Sequence, residues 1–291
     1  MSDQAARLRE LAQQTKTKED LTRSSQKRVI AITSGKGGVG KTNLTVNLAI
    51  GLTTLGKRVM VMDADLGLAN IDVILGVTPK YNLYHVLKGQ RSIEDIIIEG
   101  PRGVKIITGG SGISELANVG EEQLSRFIDG VDELENDFDI LLVDTSAGIN
   151  TNVMSFLMAA DEVVVVTTPE PTAYTDAYGI INAMSKQRDR SDVKLIVNRV
   201  KSLQEGRKVA ERIKAVAKQF LHTNVENMGI IYDDNIVGEA VKKRQPFILS
   251  YPNSKASVCI NDLANKLINQ PFRESVKIKG FFRQVLDFLN K

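Results

Sequence analysis

One cysteine, Cys259, stands among 291 residues. A single thiol cannot pair within the chain, which excludes a disulfide-stapled secreted scaffold and leads us to expect a reducing, cytosolic setting. No apolar run approaches the twenty or so residues that a spanning helix needs. No cationic-then-apolar leader of the secretory kind opens the sequence. Internal repeats and low-complexity tracts are also lacking. The central part has no dense basic run, so no nucleic-acid partner is expected.

What is present suits one large α/β domain, with 42% hydrophobic and 25% charged residues. Apolar, strand-like runs at 28–34, 57–63, 104–108, 140–144, 162–167, 193–198 and 227–231 alternate with stretches of helical spacing. This alternation predicts a doubly wound, mostly parallel sheet with ligands at the C-terminal ends of its strands.

The most informative segment is Gly35-Lys36-Gly37-Gly38-Val39-Gly40-Lys41-Thr42. Two glycines five apart followed by Lys-Thr fit the phosphate-binding P-loop, in which backbone N–H groups and a helix N-terminus cradle a triphosphate. The flanks agree: the run from Arg28 to Thr33 reads as a buried strand, and Asn43 to Leu55 carries helical spacing. Lys41 is expected to reach the β and γ phosphates, Thr42 to ligate Mg²⁺, and Asn43 to open the helix beside the nucleotide. Lys36, directly after the first glycine, is not required by an ordinary P-loop.

Two strand ends supply acids. Met60-Val61-Met62 runs into Asp63-Ala64-Asp65, and Leu141-Leu142-Val143 runs into Asp144. A carboxylate at the end of a buried strand beside the P-loop strand can hold Mg²⁺ through water, a role we assign to Asp144. Asp65 is expected to orient the attacking water or to touch the metal's shell. A further strand ends at Asn198-Arg199-Val200-Lys201. A guanine site would need an acid where Lys201 stands, because a cation cannot accept the guanine N–H groups, so ATP is expected over GTP.

Lys36 inside the P-loop, the run from Asp63 to Asn70, and Val143-Asp144-Thr145-Ser146-Ala147-Gly148 resemble the deviant-Walker ATPases of the MinD/ParA family. The resemblance covers roughly residues 28–270. It implies that two subunits sandwich two ATP molecules, that Lys36 crosses to the partner's nucleotide, and that the Gly148 N–H senses the γ-phosphate. It also implies adenine contacts from Asn198 and from Asp233, although the proline that often precedes such an acid in the family is absent. With one cysteine, the iron–sulfur branches of the family are not expected.

Charge is divided along the chain. Residues 1–28 carry seven basic and four acidic side chains, residues 273–291 five and two, and the body between them 26 and 29. Basic tails on a mildly acidic body direct attention to the tails. At the C-terminus, Ile278, Phe281, Phe282, Val285, Leu286, Phe288 and Leu289 share one side of a helix, opposite Lys277, Lys279, Arg283, Gln284, Asp287, Asn290 and Lys291. This amphipathic pattern predicts a helix that begins just after Val276 and lies in an anionic membrane interface. The alternative is a helix packed on the domain's own core. The two are compatible if the same face docks on the body in one nucleotide state and on lipid in another.

At the N-terminus, Asp3-Gln4-Ala5-Ala6-Arg7-Leu8-Arg9 resembles the activator motif of the FlhG family of flagellar-number ATPases. That resemblance implies docking on the signal-recognition-particle-type GTPase FlhF, with Gln4 near the partner's catalytic site and Arg7, Leu8 and Arg9 as contacts. It also raises components of the flagellar switch complex as partners. The resulting organisation is an activator arm (1–27), a P-loop ATPase domain (28–272) and a membrane-targeting helix (273–291). The expected function is a cytoplasmic ATPase that dimerises on ATP, cycles reversibly onto the inner face of the cell membrane, and controls flagellar placement and number. Its hydrolysis would be weak and dependent on a partner or lipid. A MinD-type division-site ATPase and a nucleotide-gated scaffold with little hydrolysis remain alternatives.

Overall fold

The computed structural model describes residues 27–65, 71–109, 121–187, 193–270 and 277–290. The activator motif, with Gln4, Arg7, Leu8 and Arg9, lies outside the described residues, as do Leu66–Asn70 and Lys291.

The strands are β1 (Arg28–Ser34), β2 (Val59–Ala64), β3 (Ile97–Glu99), β4 (Lys105–Thr108), β5 (Ile140–Ala147), β6 (Glu162–Thr167), β7 (Val193–Val200) and β8 (Val225–Tyr232). The helices are α1 (Lys41–Thr54), α2 (Ile71–Leu75), α3 (Leu83–Leu87), α4 (Glu121–Glu133), α5 (Thr151–Ala159), α6 (Pro171–Ser185), α7 (Leu203–Leu221), α8 (Asn235–Lys242), α9 (Phe247–Ser250), α10 (Lys255–Asn269) and α11 (Ile278–Leu289). Among the described residues no helix is long and apolar enough to cross a membrane.

The strands form one sheet in the order β3-β4-β2-β5-β1-β6-β7-β8. Every pairing is parallel except the short edge pair β3–β4. The seven expected strands are all present. The eighth, β3, has three residues and too little alternation to stand out in the sequence. The interior strands are apolar throughout because both sheet faces are covered: all seven residues of β1 are buried. One apolar core lies beneath α1, α9 and α10, and the other beneath α4, α5, α6, α7 and α11.

Helix α11 settles one expectation. It begins at Ile278, after Lys277, as the spacing predicted. Its apolar face is covered by the body: Ile278, Phe281, Phe282, Val285 and Leu286 are all buried, and Phe288 and Leu289 are partly buried against the same core. Phe282 meets Phe127 of α4 edge-on at 5.1 Å, and Phe281 lies 6.1 Å from Phe156 of α5. Lys279 reaches Asp129 at 3.2 Å and Asp132 at 3.8 Å on α4. Five of the seven residues assigned to lipid are thus buried against the body, and the other two are partly buried there. Burying five such side chains is worth roughly 10 kcal/mol as an upper bound, so the helix leaves its seat only for another apolar environment.

Candidate nucleotide site

The site forms where β1, β2 and β5 end beside the start of α1. The phosphate loop leaves β1 at Ser34, whose hydroxyl donates to the Lys36 carbonyl at 2.8 Å. Gly40 precedes α1 in a left-handed conformation (φ 95°), and a Cβ there would meet Asn198 Nδ2 at 2.5 Å. Asn198 in turn donates to the Val39 carbonyl at 2.8 Å. Asn198 thus holds the loop from the β7 side.

Lys41 is 9% exposed, and Thr42 follows it in the first turn of α1. Burial pulls the Lys41 ammonium below its usual range, opposed by Asp144 and Asp65, so both predicted acids act on this lysine. Asp144 is 2% exposed and stands in register beside Asp63, itself 1% exposed, across the β5–β2 pair. Burial pushes the Asp144 carboxyl up to about 7, with Asp63 adding to the rise and the Thr42 hydroxyl, Lys41 and the Thr45 hydroxyl opposing it.

Two buried carboxylates and a threonine hydroxyl at a strand–loop junction form a hard oxygen donor set. It suits Mg²⁺, which takes one or two carboxylates together with substrate phosphates.

Asp63 was not singled out by the sequence reading. The Asp-Ala-Asp run was the available signal, but choosing between its acids needed the depth of each. Asp63 accepts from the Asp65 N–H at 3.0 Å and from the Ile71 N–H at 3.4 Å, which ties β2 to the start of α2. Asp65 is half-buried, just beyond the strand end.

Gly148 lies just past the end of β5. Its N–H donates to the Ser34 carbonyl at 3.0 Å, so it is already engaged, and a γ-phosphate would have to draw it away. Lys36 is also held within its own subunit. Its ammonium lies 2.9 Å from Glu170 Oε2, just before α6, and 3.0 Å from Thr172 Oγ1, in the first turn of α6. The ammonium holds the Glu170 carboxylate below its ordinary range.

A cavity of about 540 Å³ opens beside Gly40 and Asn43, lined by Leu44, Asn198, Tyr232 and Asp233. Its size suits a nucleoside. Asp234 is engaged elsewhere, accepting from the Ile236 N–H at 3.1 Å and the Ala256 N–H at 3.3 Å. Asp233 is also on the cavity wall. A larger cavity of about 700 Å³ follows the outer edge of β8 and contains no part of the phosphate loop, so size alone does not locate the nucleotide.

Known proteins agree with this geometry. A family model described as an AAA domain matches residues 27–197. The antiactivator FleN of Pseudomonas aeruginosa is 41% identical over 84% of this chain and 87% of its own. The flagellum site-determining protein YlxH of Helicobacter pylori is 38% identical over 99% of this chain and 100% of its own. Among solved structures, the MinC:MinD cell division complex of Aquifex aeolicus superposes with a TM-score of 0.68 at 31% identity, over 86% of this chain and 99% of that one. The septum site-determining protein MinD of Pyrococcus horikoshii, complexed with Mg-ADP, gives 0.65 at 27% identity, over 84% and 97%. The P-loop with its additional lysine, the acids at the ends of β2 and β5, and these likenesses lead to one conclusion: the chain belongs to the MinD/ParA family of P-loop ATPases, in the flagellar branch with FleN and YlxH.

Proposed function

We propose that the protein is an ATP-driven switch that sets the placement and number of flagella, dimerising on ATP and cycling between the cytoplasm and the inner face of the membrane. The carrying observation is the seat of α11. Its apolar face packs on α5, and α5 begins three residues after Gly148, with Asn150 capping it through a 2.9 Å bond from the Val153 N–H. When the Gly148 N–H leaves Ser34 for a γ-phosphate, the start of α5 shifts and α11 loses part of its seat. The freed face, with Phe281 and Phe282 and its lysines, then suits an anionic bilayer. One short helix binds lipid weakly, but two from one dimer act together and gain roughly 10²–10⁴ in avidity.

Within the dimer, Lys41 in cis and Lys36 from the partner neutralise phosphate charge, Asp65 orients the water, and Asn198 and Asp233 hold the base. Thr42, Asp144 and Asp63 would hold Mg²⁺, which supplies neutralisation of charge on the transferred phosphoryl group. Supplying Lys36 from the partner makes hydrolysis depend on assembly, and hydrolysis then returns α11 to the body.

Similarity to FleN and YlxH supports the flagellar assignment, with switch-complex components as further contacts. The resemblance of Asp3–Arg9 to an activator motif supports stimulation of an FlhF-type GTPase through Gln4. The deciding experiment is liposome sedimentation of the full chain, with oligomeric state measured in parallel, under ADP and under a non-hydrolysable ATP analogue. We expect monomer in the supernatant with ADP and dimer in the pellet with the analogue. Equal pelleting in both overturns the switch. A peptide of residues 1–23 that leaves the GTPase rate of the partner unchanged overturns the activator role.

A further inference from the structure

We propose that Thr45 is a positioning residue for the magnesium-facing carboxylate, its hydroxyl fixing the orientation of Asp144 when the site carries a divalent cation. The inference rests on the nucleotide reading of the same site. Thr45 lies one turn along α1 from Thr42, on the same helix face, and is fully buried. Its Oγ1 stands 3.1 Å from Asp144 Oδ1 and 3.0 Å from the Lys41 carbonyl. Asp144 also takes a hydrogen bond from Thr42. The carboxylate is therefore tied to α1 by two hydroxyls.

The two ties differ in what else they must do. Thr42 stands at the P-loop position whose oxygen goes to the cation. Thr45 lies deeper and has no such duty. Its single proton has two acceptors within reach, but the Lys41 carbonyl is also the natural i−4 acceptor of the Thr45 amide. Giving the hydroxyl proton to Asp144 leaves that carbonyl served by the helix. The side chain is also pre-aimed: β-branching restricts χ1, and a threonine hydroxyl directed back toward the i−4 carbonyl occupies a favoured rotamer. Asp63 beside Asp144 adds a repulsion that tends to turn the carboxylate away. The Thr45 bond opposes that turn without occupying any coordination position.

The test is the affinity of Mn²⁺, used as a paramagnetic probe, for the full-length protein holding a non-hydrolysable ATP analogue, read by electron paramagnetic resonance. Thr45→Val keeps the shape and removes the hydroxyl. We expect its Mn²⁺ dissociation constant to rise about tenfold or more, the usual scale for loss of a bond that orients a metal ligand. Thr45→Ser is expected to restore it. Analogue affinity in EDTA should match wild type in both variants. Should Thr45→Val not fold, Thr45→Ala carries the same comparison. Unchanged Mn²⁺ affinity in the folded variant lacking the hydroxyl overturns the proposal. So does a serine variant as defective as valine, since that marks a packing role. Absence of Mn²⁺-dependent analogue binding in wild type overturns the nucleotide reading itself, a result distinct from any variant effect.

Discussion

The Lys36 ammonium lies 2.9 Å from the Glu170 carboxylate of its own chain, on the far side of the phosphate loop from the acids of β2 and β5. The residue assigned to a partner's nucleotide is therefore held at home by a solvent-exposed contact. Exposed ion pairs are weak, so the contact is easily exchanged for a phosphate. Replacing Glu170 by Gln is expected to strengthen ATP-dependent dimerisation a few-fold, whereas Lys36→Ala should leave a monomer in every nucleotide state. Analytical ultracentrifugation with the ATP analogue checks both. A dimer formed by Lys36→Ala as readily as by wild type would remove Lys36 from the interface.

The burial of Asp144, with Asp63 beside it, has a pH consequence. The Asp144 carboxyl sits at about 7 in the fold against an ordinary value of 3.8. Between those values the folded protein keeps a proton that the unfolded chain has released. The metal-free protein is therefore expected to lose stability as pH rises from about 4 to about 7, and no further from this group above that. The loss is at most roughly 4 kcal/mol. Asp144→Asn should flatten that part of the profile, and saturating Mg²⁺ with nucleotide should offset it in wild type. Thermal melting in EDTA and in Mg²⁺ across this pH range measures both effects.

Phe282 is 2% exposed and meets the ring of Phe127. A helix reserved for lipid alone would tolerate its truncation in the absence of membrane. Docked as it is, Phe282→Ala is expected to cost about 3–5 kcal/mol of stability, read as a lowered urea midpoint of the ADP-bound protein. A midpoint unchanged from wild type would mean that α11 does not occupy this seat in solution.

The acidic contacts of Lys279 give a gentler lever on the same helix. Asp129 and Asp132 are both well exposed, so replacing them with Asn should change stability by less than about 1 kcal/mol. It also removes negative charge that competes with anionic lipid for Lys279. Pelleting with anionic vesicles in ADP is expected to rise, and to remain near background with neutral vesicles. Equal pelleting with both vesicle types would show that charge does not govern release.

Gly40 tests the phosphate loop. Its left-handed backbone strains any side chain, and a Cβ there would displace the Asn198 amide, 2.5 Å away, from the Val39 carbonyl it holds. Gly40→Ala is therefore expected to distort the loop and abolish ATP binding by calorimetry while the remainder of the fold persists.

Much of this protein was determined by its sequence alone. Glycine and lysine spacing defined the phosphate loop because backbone cradling of an anion needs those residues at those intervals. Apolar runs placed seven of the eight strands among the described residues because strands covered on both faces must be apolar throughout. The start of α11 and the identity of its apolar face followed from helical period. The tertiary structure decided what local pattern cannot encode. Lys36 is engaged by Glu170, 134 residues away in sequence. The Gly148 N–H is engaged by Ser34, and Asp63 and Thr45 come to Asp144 through the register of β2 with β5 and the packing of α1 on β5. The face of α11 meets α4 and α5 instead of solvent. An apolar helix face states only that it must be buried. Whether protein or lipid covers it depends on the shape and chemistry of surfaces brought together from distant parts of the chain.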